Sequence, residues 1–171
     1  MRTKHLTLRE PTSEDAPFIL ELVNSAGWLK FIGDRGIHNL EAAQGYIAQI
    51  RKDHKTHGFG LLVMEKTETR QAMGLCGLLQ RDYLEAPDLG FAILPEFSKQ
   101  GYTFEAATQI LESERRKGKH RSILGITLSG NNPSKALLRK LGFEESSPVC
   151  DPKTGDKNLL YTKKLTSDHE S

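Results

Sequence analysis

The chain has 171 residues, with 24 Lys and Arg against 22 Asp and Glu, a net charge of +2, and 37% hydrophobic and 27% charged residues. That balance gives no general attraction to nucleic acid or to an anionic membrane, and no apolar run approaches the roughly 20 residues that span a bilayer. The length suits one compact domain with a real core, expected over residues 1–165, followed by a disordered tail, "TSDHES".

The N-terminal "MRTKHLTLRE" has no continuous apolar segment of the secretory kind, so a cytoplasmic location is expected. Within it, Leu6 and Leu8 alternate with polar residues, the period of a half-buried strand. "PTSEDAPFILELVN" then sets Thr12 and Ser13 before an acidic first turn, and Phe18, Ile19, Leu22 and Val23 recur at helical spacing, which predicts a helix ending near Asn24. "SAGWLKFIGDRGIH" is rich in glycine and aromatics and reads as a loop or broken helix. Asn39 reads as the cap of a second helix through about His54.

"FGLLVMEK", "AMGLCGLLQRD" and "DLGFAIL" are short apolar or alternating runs separated by polar turns, as in an antiparallel meander. A helix through about Lys117 follows, with Phe104, Ala107, Ile110 and Leu111 on one face. "SILGITL" reads as a buried strand. "NNPSKALLRKLGF" opens on a capping asparagine, carries Pro133 early and ends at Gly142, a helix with both its stop and start signals. "FEESSPV" and "NLLYTKKL" are expected to pair across the turn "CDPKTGDK". Cys76 and Cys150 are the only cysteines, and neither belongs to a CxxC pair, so both read as reduced thiols.

Gly101 stands between a polar loop and the helix that follows it. Glycine there either eases the turn or leaves room for a phosphate, because Lys99 and Gln100 precede it and the helix points its positive end at the same place. The chain has no GxxxxGK[ST], and no GxGxxG follows a strand, so mononucleotide hydrolysis and dinucleotide redox chemistry are not supported.

"DLGFAILPEFSKQGYTFEAA", followed about thirty residues on by "NNPSKALLRKLGF", resembles the GNAT superfamily of acyl-CoA-dependent N-acetyltransferases, and most of all its branch that acetylates ribosomal-protein N-termini. The likeness runs from "LTLRE" through "GYIAQI" and "MGLCGL" to the final strands. It implies a mixed α/β fold with a mostly antiparallel sheet flanked by helices. It also implies acetyl transfer from acetyl-CoA to a primary amine, without a covalent enzyme intermediate and without a metal.

By that resemblance, backbone amides of Ser98, Lys99, Gln100, Gly101, Tyr102 and Thr103 face the CoA pyrophosphate. The family's loop usually reads Q/R-x-x-G-x-G/A, and this chain departs from it at Ser98 and Thr103. "DLGFAIL" is implied to splay from "SILGITL" around the pantetheine arm, with an amide at Ile93 or Leu94 left to hold the oxyanion. Asp88 falls where the superfamily often carries a glutamate base, and Glu85 is the next carboxylate. The tyrosine that many members use as an acid is replaced by Leu138. The ribosomal-protein branch uses a serine in an N-x-x-S pattern, here Asn131 and Ser134, residues that equally cap a helix. Asn131 is also implied to reach the pantetheine amides. Trp28, Phe31, Ile32 and Tyr83 are the expected acceptor-channel residues, the first three reading equally as a buried aromatic cluster. The acceptor is a protein or peptide N-terminus or a small amine, and the chain is a monomer or a homodimer.

Three rival readings stand beside this one. "ERRKGKHR" concentrates Arg115, Arg116, Lys117, Lys119 and Arg121 in the manner of a nucleic-acid binder, yet no aromatic residue interleaves it, and a solvated helix end explains it. His54 and His57 lack the third ligand a metal needs. The remaining rival is a non-catalytic acyl-CoA-binding domain.

Overall fold

Leu6 and Leu8 are both buried on one face of strand β1 (Leu6–Arg9), as a two-residue period requires. The computed structural model describes residues 1–165, so the tail expected at 166–171 lies outside the described residues. The chain divides into two compact units, each drawn from two stretches: Met1–Leu78 with Gly90–Ala106, and Leu79–Leu89 with the chain from Ala107 onward.

The first unit holds β1, helices α1 (Ala16–Val23), α2 (Ala26–Phe31) and α3 (Leu40–His57), strand β2 (Leu61–Lys66), nearly all of β3 (Ala72–Leu79) and the end of β4 (Asp88–Ile93). β1, β2 and β3 pair antiparallel, with Leu8 opposite Met64 and Val63 opposite Leu75. Ile19, Leu22, Ile47, Val63 and Leu75 are buried here. The stretch expected as a loop or broken helix contains the short α2. Asn39 caps α3 as expected, its side chain accepting from the Ala42 amide at 2.8 Å, and the helix runs three residues past His54.

β3 is tightly flanked. A Cβ on Gly74 would fall 2.3 Å from the Ala92 carbonyl oxygen and 2.9 Å from the Ile93 Cα, so the backbone of β4 lies directly over this residue and only glycine fits.

The second unit holds the start of β4, the body of helix α4 (Tyr102–Lys117), strand β5 (Ser122–Thr127), helix α5 (Asn132–Lys140), β6 (Glu144–Cys150) and β7 (Lys157–Lys164). β6 and β7 form the expected hairpin, and β7 is the strand beside β5, with Tyr161 opposite Gly125. Asp88 opposite Leu124 is the parallel pair that joins β4 to β5. Leu138 of α5 packs where Gly125 has no side chain, its Cδ2 2.8 Å from the position a Cβ would take. Leu138 is therefore a core residue.

Strand order is thus β1-β2-β3-β4 in the first unit and β4-β5-β7-β6 in the second. The fold is mixed α/β, with a mostly antiparallel sheet flanked by helices, as expected, and among the described residues that sheet has seven strands. Among the described residues no helix is long and apolar enough to cross a membrane.

Candidate active site

In the first unit the site residues follow the end of β4. The Leu94 amide donates to the Met73 carbonyl at 2.8 Å, which pins the exit of the strand to β3. The expectation that this amide is free for an oxyanion is therefore corrected, because its hydrogen is already committed. Pro95–Phe97 then forms one 3₁₀ turn, and both the amide and the hydroxyl of Ser98 donate to the Pro95 carbonyl, at 3.2 and 2.7 Å, so the expectation that the Ser98 amide faces a pyrophosphate is corrected too. Gln100 reaches back to the Glu96 carbonyl at 3.2 Å.

Lys99 and Gly101 are both left-handed, at φ 62° and 85°. Glycine tolerates that conformation and lysine pays for it. Nothing lies within 4 Å of a Cβ built on Gly101, so the backbone angle, not crowding, demands glycine here, and open space remains beside it. The first helical bond of α4 runs from the Glu105 amide to the Gly101 carbonyl at 3.0 Å. Tyr102 and Thr103 thus occupy the positive end of a 16-residue helix, whose leading amides have no intrahelical acceptor. This arrangement fits a pyrophosphate.

The same turn is clamped from the N-terminus of the chain. Glu105 accepts from the Thr3 hydroxyl, from the His5 amide at 2.9 Å and pairs with His5 Nδ1 at 2.7 Å. Partial burial works to raise its pKa, but these bonds outweigh it and hold the carboxyl below its usual range. No sequence pattern links residues a hundred positions apart, and this clamp was not foreseen.

Also in the first unit, Trp28 is 6% exposed and stands edge-on to Tyr46, with ring centroids 6.3 Å apart. It is a packing residue in this structure. Phe31 is half-buried beneath Lys30, whose Nζ lies 5.1 Å from the ring centroid, while Ile32 at the end of α2 is 39% exposed.

In the second unit Asp88 is 1% exposed, and Arg81 Nε donates to its Oδ1 at 3.1 Å. Burial pushes the carboxyl up to about 6, against the pull of the guanidinium. Such a group changes charge just below neutral pH, which suits proton transfer. Arg81 escaped the sequence reading, since a lone arginine seven residues before a carboxylate carries no signal.

Ser134 is 8% exposed in the first turn of α5, its amide donating to Asn131 Oδ1 at 3.2 Å. Asn131 is thus a cap, as expected. The Ser134 hydroxyl has no hydrogen-bond partner among the described residues, so capping does not consume it.

A cavity of about 690 Å³ opens within the second unit, lined by Tyr83, Glu85, Leu124, Leu160, Lys119 and Arg121 among others. It brings together the expected Tyr83 and Glu85. Burial raises the Tyr83 phenol, against the pull of Arg81. The cavity also divides the basic run. Arg115 and Arg116 pair with Glu112 at 2.7 and 3.1 Å, and Lys117 pairs with Glu114 at 3.1 Å, whereas Lys119 and Arg121 line the cavity.

His54 Nε2 is bonded to the Leu61 carbonyl at 2.8 Å and His57 stacks on Phe59, so each ring has a local structural partner. Among the described residues no three His, Cys, Asp or Glu side chains are grouped to hold a metal ion. Cys76 is fully buried, which pushes its thiol up to about 12; it is not a nucleophile at neutral pH.

Residues 5–144 match the family model described as an acetyltransferase (GNAT) domain. The uncharacterized N-acetyltransferase YoaA of Bacillus subtilis (strain 168) is 23% identical over 150 residues, covering 85% of this chain and 82% of its own. Two solved structures are similar in fold. An acetyltransferase from Agrobacterium tumefaciens str. C58 superposes with a TM-score of 0.81 at 22% identity, covering 95% of this chain and 92% of its own. RimL, a ribosomal L7/L12 alpha-N-protein acetyltransferase solved in complex with coenzyme A, does so with a TM-score of 0.81 at 18% identity, covering 97% of each.

Proposed function

Because the chain belongs to the GNAT acetyltransferase family, we propose that it transfers acetyl from acetyl-CoA directly to a primary amine, acting as one domain over 1–165. The observation that carries this reading is the loop after β4, where two left-handed residues lead into the positive end of α4 beside open space at Gly101. Acetyl-CoA supplies the thioester. Backbone amides from Lys99 to Thr103 hold its pyrophosphate, the Ser98 amide being bonded to the Pro95 carbonyl, and the Ile93 amide takes the oxyanion role that Leu94 cannot. Asn131 bonds the pantetheine amides.

The remaining work is proton transfer. Asp88 accepts the acceptor's ammonium proton through water, Glu85 being the alternative, and the Ser134 hydroxyl donates to the departing thiolate. Phe31 and Ile32 contact the acceptor, and Tyr83 is a further proposed contact; Trp28, expected there too, packs on Tyr46 instead. The buried, high-pKa Cys76 supports transfer without an acyl-enzyme. A cytoplasmic enzyme, monomeric or homodimeric, using no metal, completes the proposal.

The test is calorimetric titration with acetyl-CoA and CoA, for the wild type and Gly101→Trp. Micromolar binding that the variant weakens by roughly 100-fold is expected, followed by turnover of a primary amine. No binding to either ligand would remove the reading. A second reading, CoA binding without chemistry, is favoured by one fact: Asp88 is buried against Arg81, the arrangement of a structural ion pair. It predicts that no amine is acetylated although CoA binds.

A further inference from the structure

We infer that the cavity of the second unit is an anion-selecting acceptor pocket, which takes small amines carrying a carboxylate or a phosphate. The inference rests on the acetyl-transfer reading and adds the class of acceptor.

Every lining residue belongs to the second unit. The floor is the face of β5 and β7 opposite α5: Leu124 stands across from Thr162, and Leu160 lies two residues before Thr162 on the same face. Leu84 and Val149 extend this apolar surface. Its volume, about 690 Å³, lies in the range of small-ligand sites, and a floor of leucine and valine with a few charged groups at the rim is how such sites are built.

The charges are of two kinds. Glu85 comes from the segment just before β4, and Lys119 and Arg121 come from the turn between α4 and β5. The neighbouring cations, Arg115 to Lys117, pair with glutamates of their own helix, Arg115 and Arg116 sharing Glu112. Among the described residues, neither Lys119 nor Arg121 pairs with a carboxylate, and Glu85 pairs with no cation. A ligand with an ammonium group at one end and an anion at the other satisfies both sides, whereas a polycation meets two like charges. The apolar floor strengthens each attraction by displacing water. Leu124, which lines the cavity, is also the register partner of Asp88, so the pocket adjoins the residue proposed to take the proton.

The experiment follows acetyl-CoA consumption with two matched pairs: leucine against leucinamide, and phosphoethanolamine against ethanolamine. Wild type is compared with the Lys119→Gln, Arg121→Gln double variant, whose altered side chains are exposed. The two amines of a pair differ in their own basicity, so the change from wild type to variant is the quantity read. Expected is a fall of roughly tenfold in kcat/KM for the anionic member and less than about a twofold change for the neutral one; which pair responds more identifies the anion. An equal change for both members, or none for either, would overturn the inference while leaving acetyl transfer in place. Should no amine be turned over, the four are titrated calorimetrically. Binding of leucine or phosphoethanolamine that the variant loses would keep the pocket while the transfer reading falls, and no binding would sink both.

Discussion

The end of β4 presents backbone, with the Leu94 amide fixed to Met73 and left-handed Lys99 and Gly101 opening α4; its start presents side chains, with Asp88 under Arg81 beside a cavity rimmed by Glu85, Lys119 and Arg121. The contrast teaches where substitution is tolerated. Amide donors survive a change of side chain, so Thr103 can depart from the family's usual loop without removing the amide contact proposed for it. A carboxylate has no substitute in the backbone.

The strongest way to break this comparison is Asp88→Asn. It is expected to lower kcat by about 10²–10³-fold while leaving CoA affinity within about twofold. Wild-type rate should rise with pH through about 6, as the buried carboxyl ionises, and the variant should lose that limb. The stability sign is opposite to that of an ordinary paired carboxylate. With its folded pKa raised, Asp88 adds stability that is full below its unfolded value and is lost as pH rises through about 6. Thermal melting at pH 7 should therefore show no fall for Asp88→Asn, and a large fall would mark the pair as structural.

Next in size is Gly74→Val, which sets a side chain against the β4 backbone at 2.3 Å. A loss of about 3 kcal/mol is expected in urea unfolding; a fully stable variant would mean that the strand does not lie over this residue. Lys99→Gly removes the penalty of a left-handed lysine and should add about 1 kcal/mol to stability, with CoA binding unharmed if the loop acts through its amides. Smallest is Glu105→Gln. Its lowered pKa means stability present above the ordinary carboxylate value and lost as pH falls through the lowered one. The side chain is only 22% exposed, but glutamine keeps an acceptor oxygen for Thr3 and His5, which limits the cost at pH 7 to about 0.5 kcal/mol, and only acid melting curves should separate it from wild type.

Much of this was legible in the chain because the signals are local. Alternating Leu6 and Leu8, Asn39 before α3, Gly101 before α4, and Asn131 to Gly142 around α5 each act within a turn or two, where periodicity and capping are encoded by neighbours. The family likeness rests on the same local stretches. What escaped joins distant residues: Arg81 to Asp88 across a turn, Thr3 and His5 to Glu105, Met73 to Leu94, and the cavity that gathers Glu85, Lys119 and Leu160.

The sequence by itself determined most of the elements, their order along the chain, the glycine at the head of α4 and the membership of the family those elements imply. Tertiary structure alone decided which groups remain available for chemistry. It spent the Leu94 amide on β3, buried Trp28 against Tyr46, raised Asp88 by removing it from water, and divided a single basic run into cations paired on their helix and cations facing a cavity. The physical reason is that desolvation and hydrogen-bond competition depend on what packs around a group, and those neighbours are set by the fold rather than by sequence spacing.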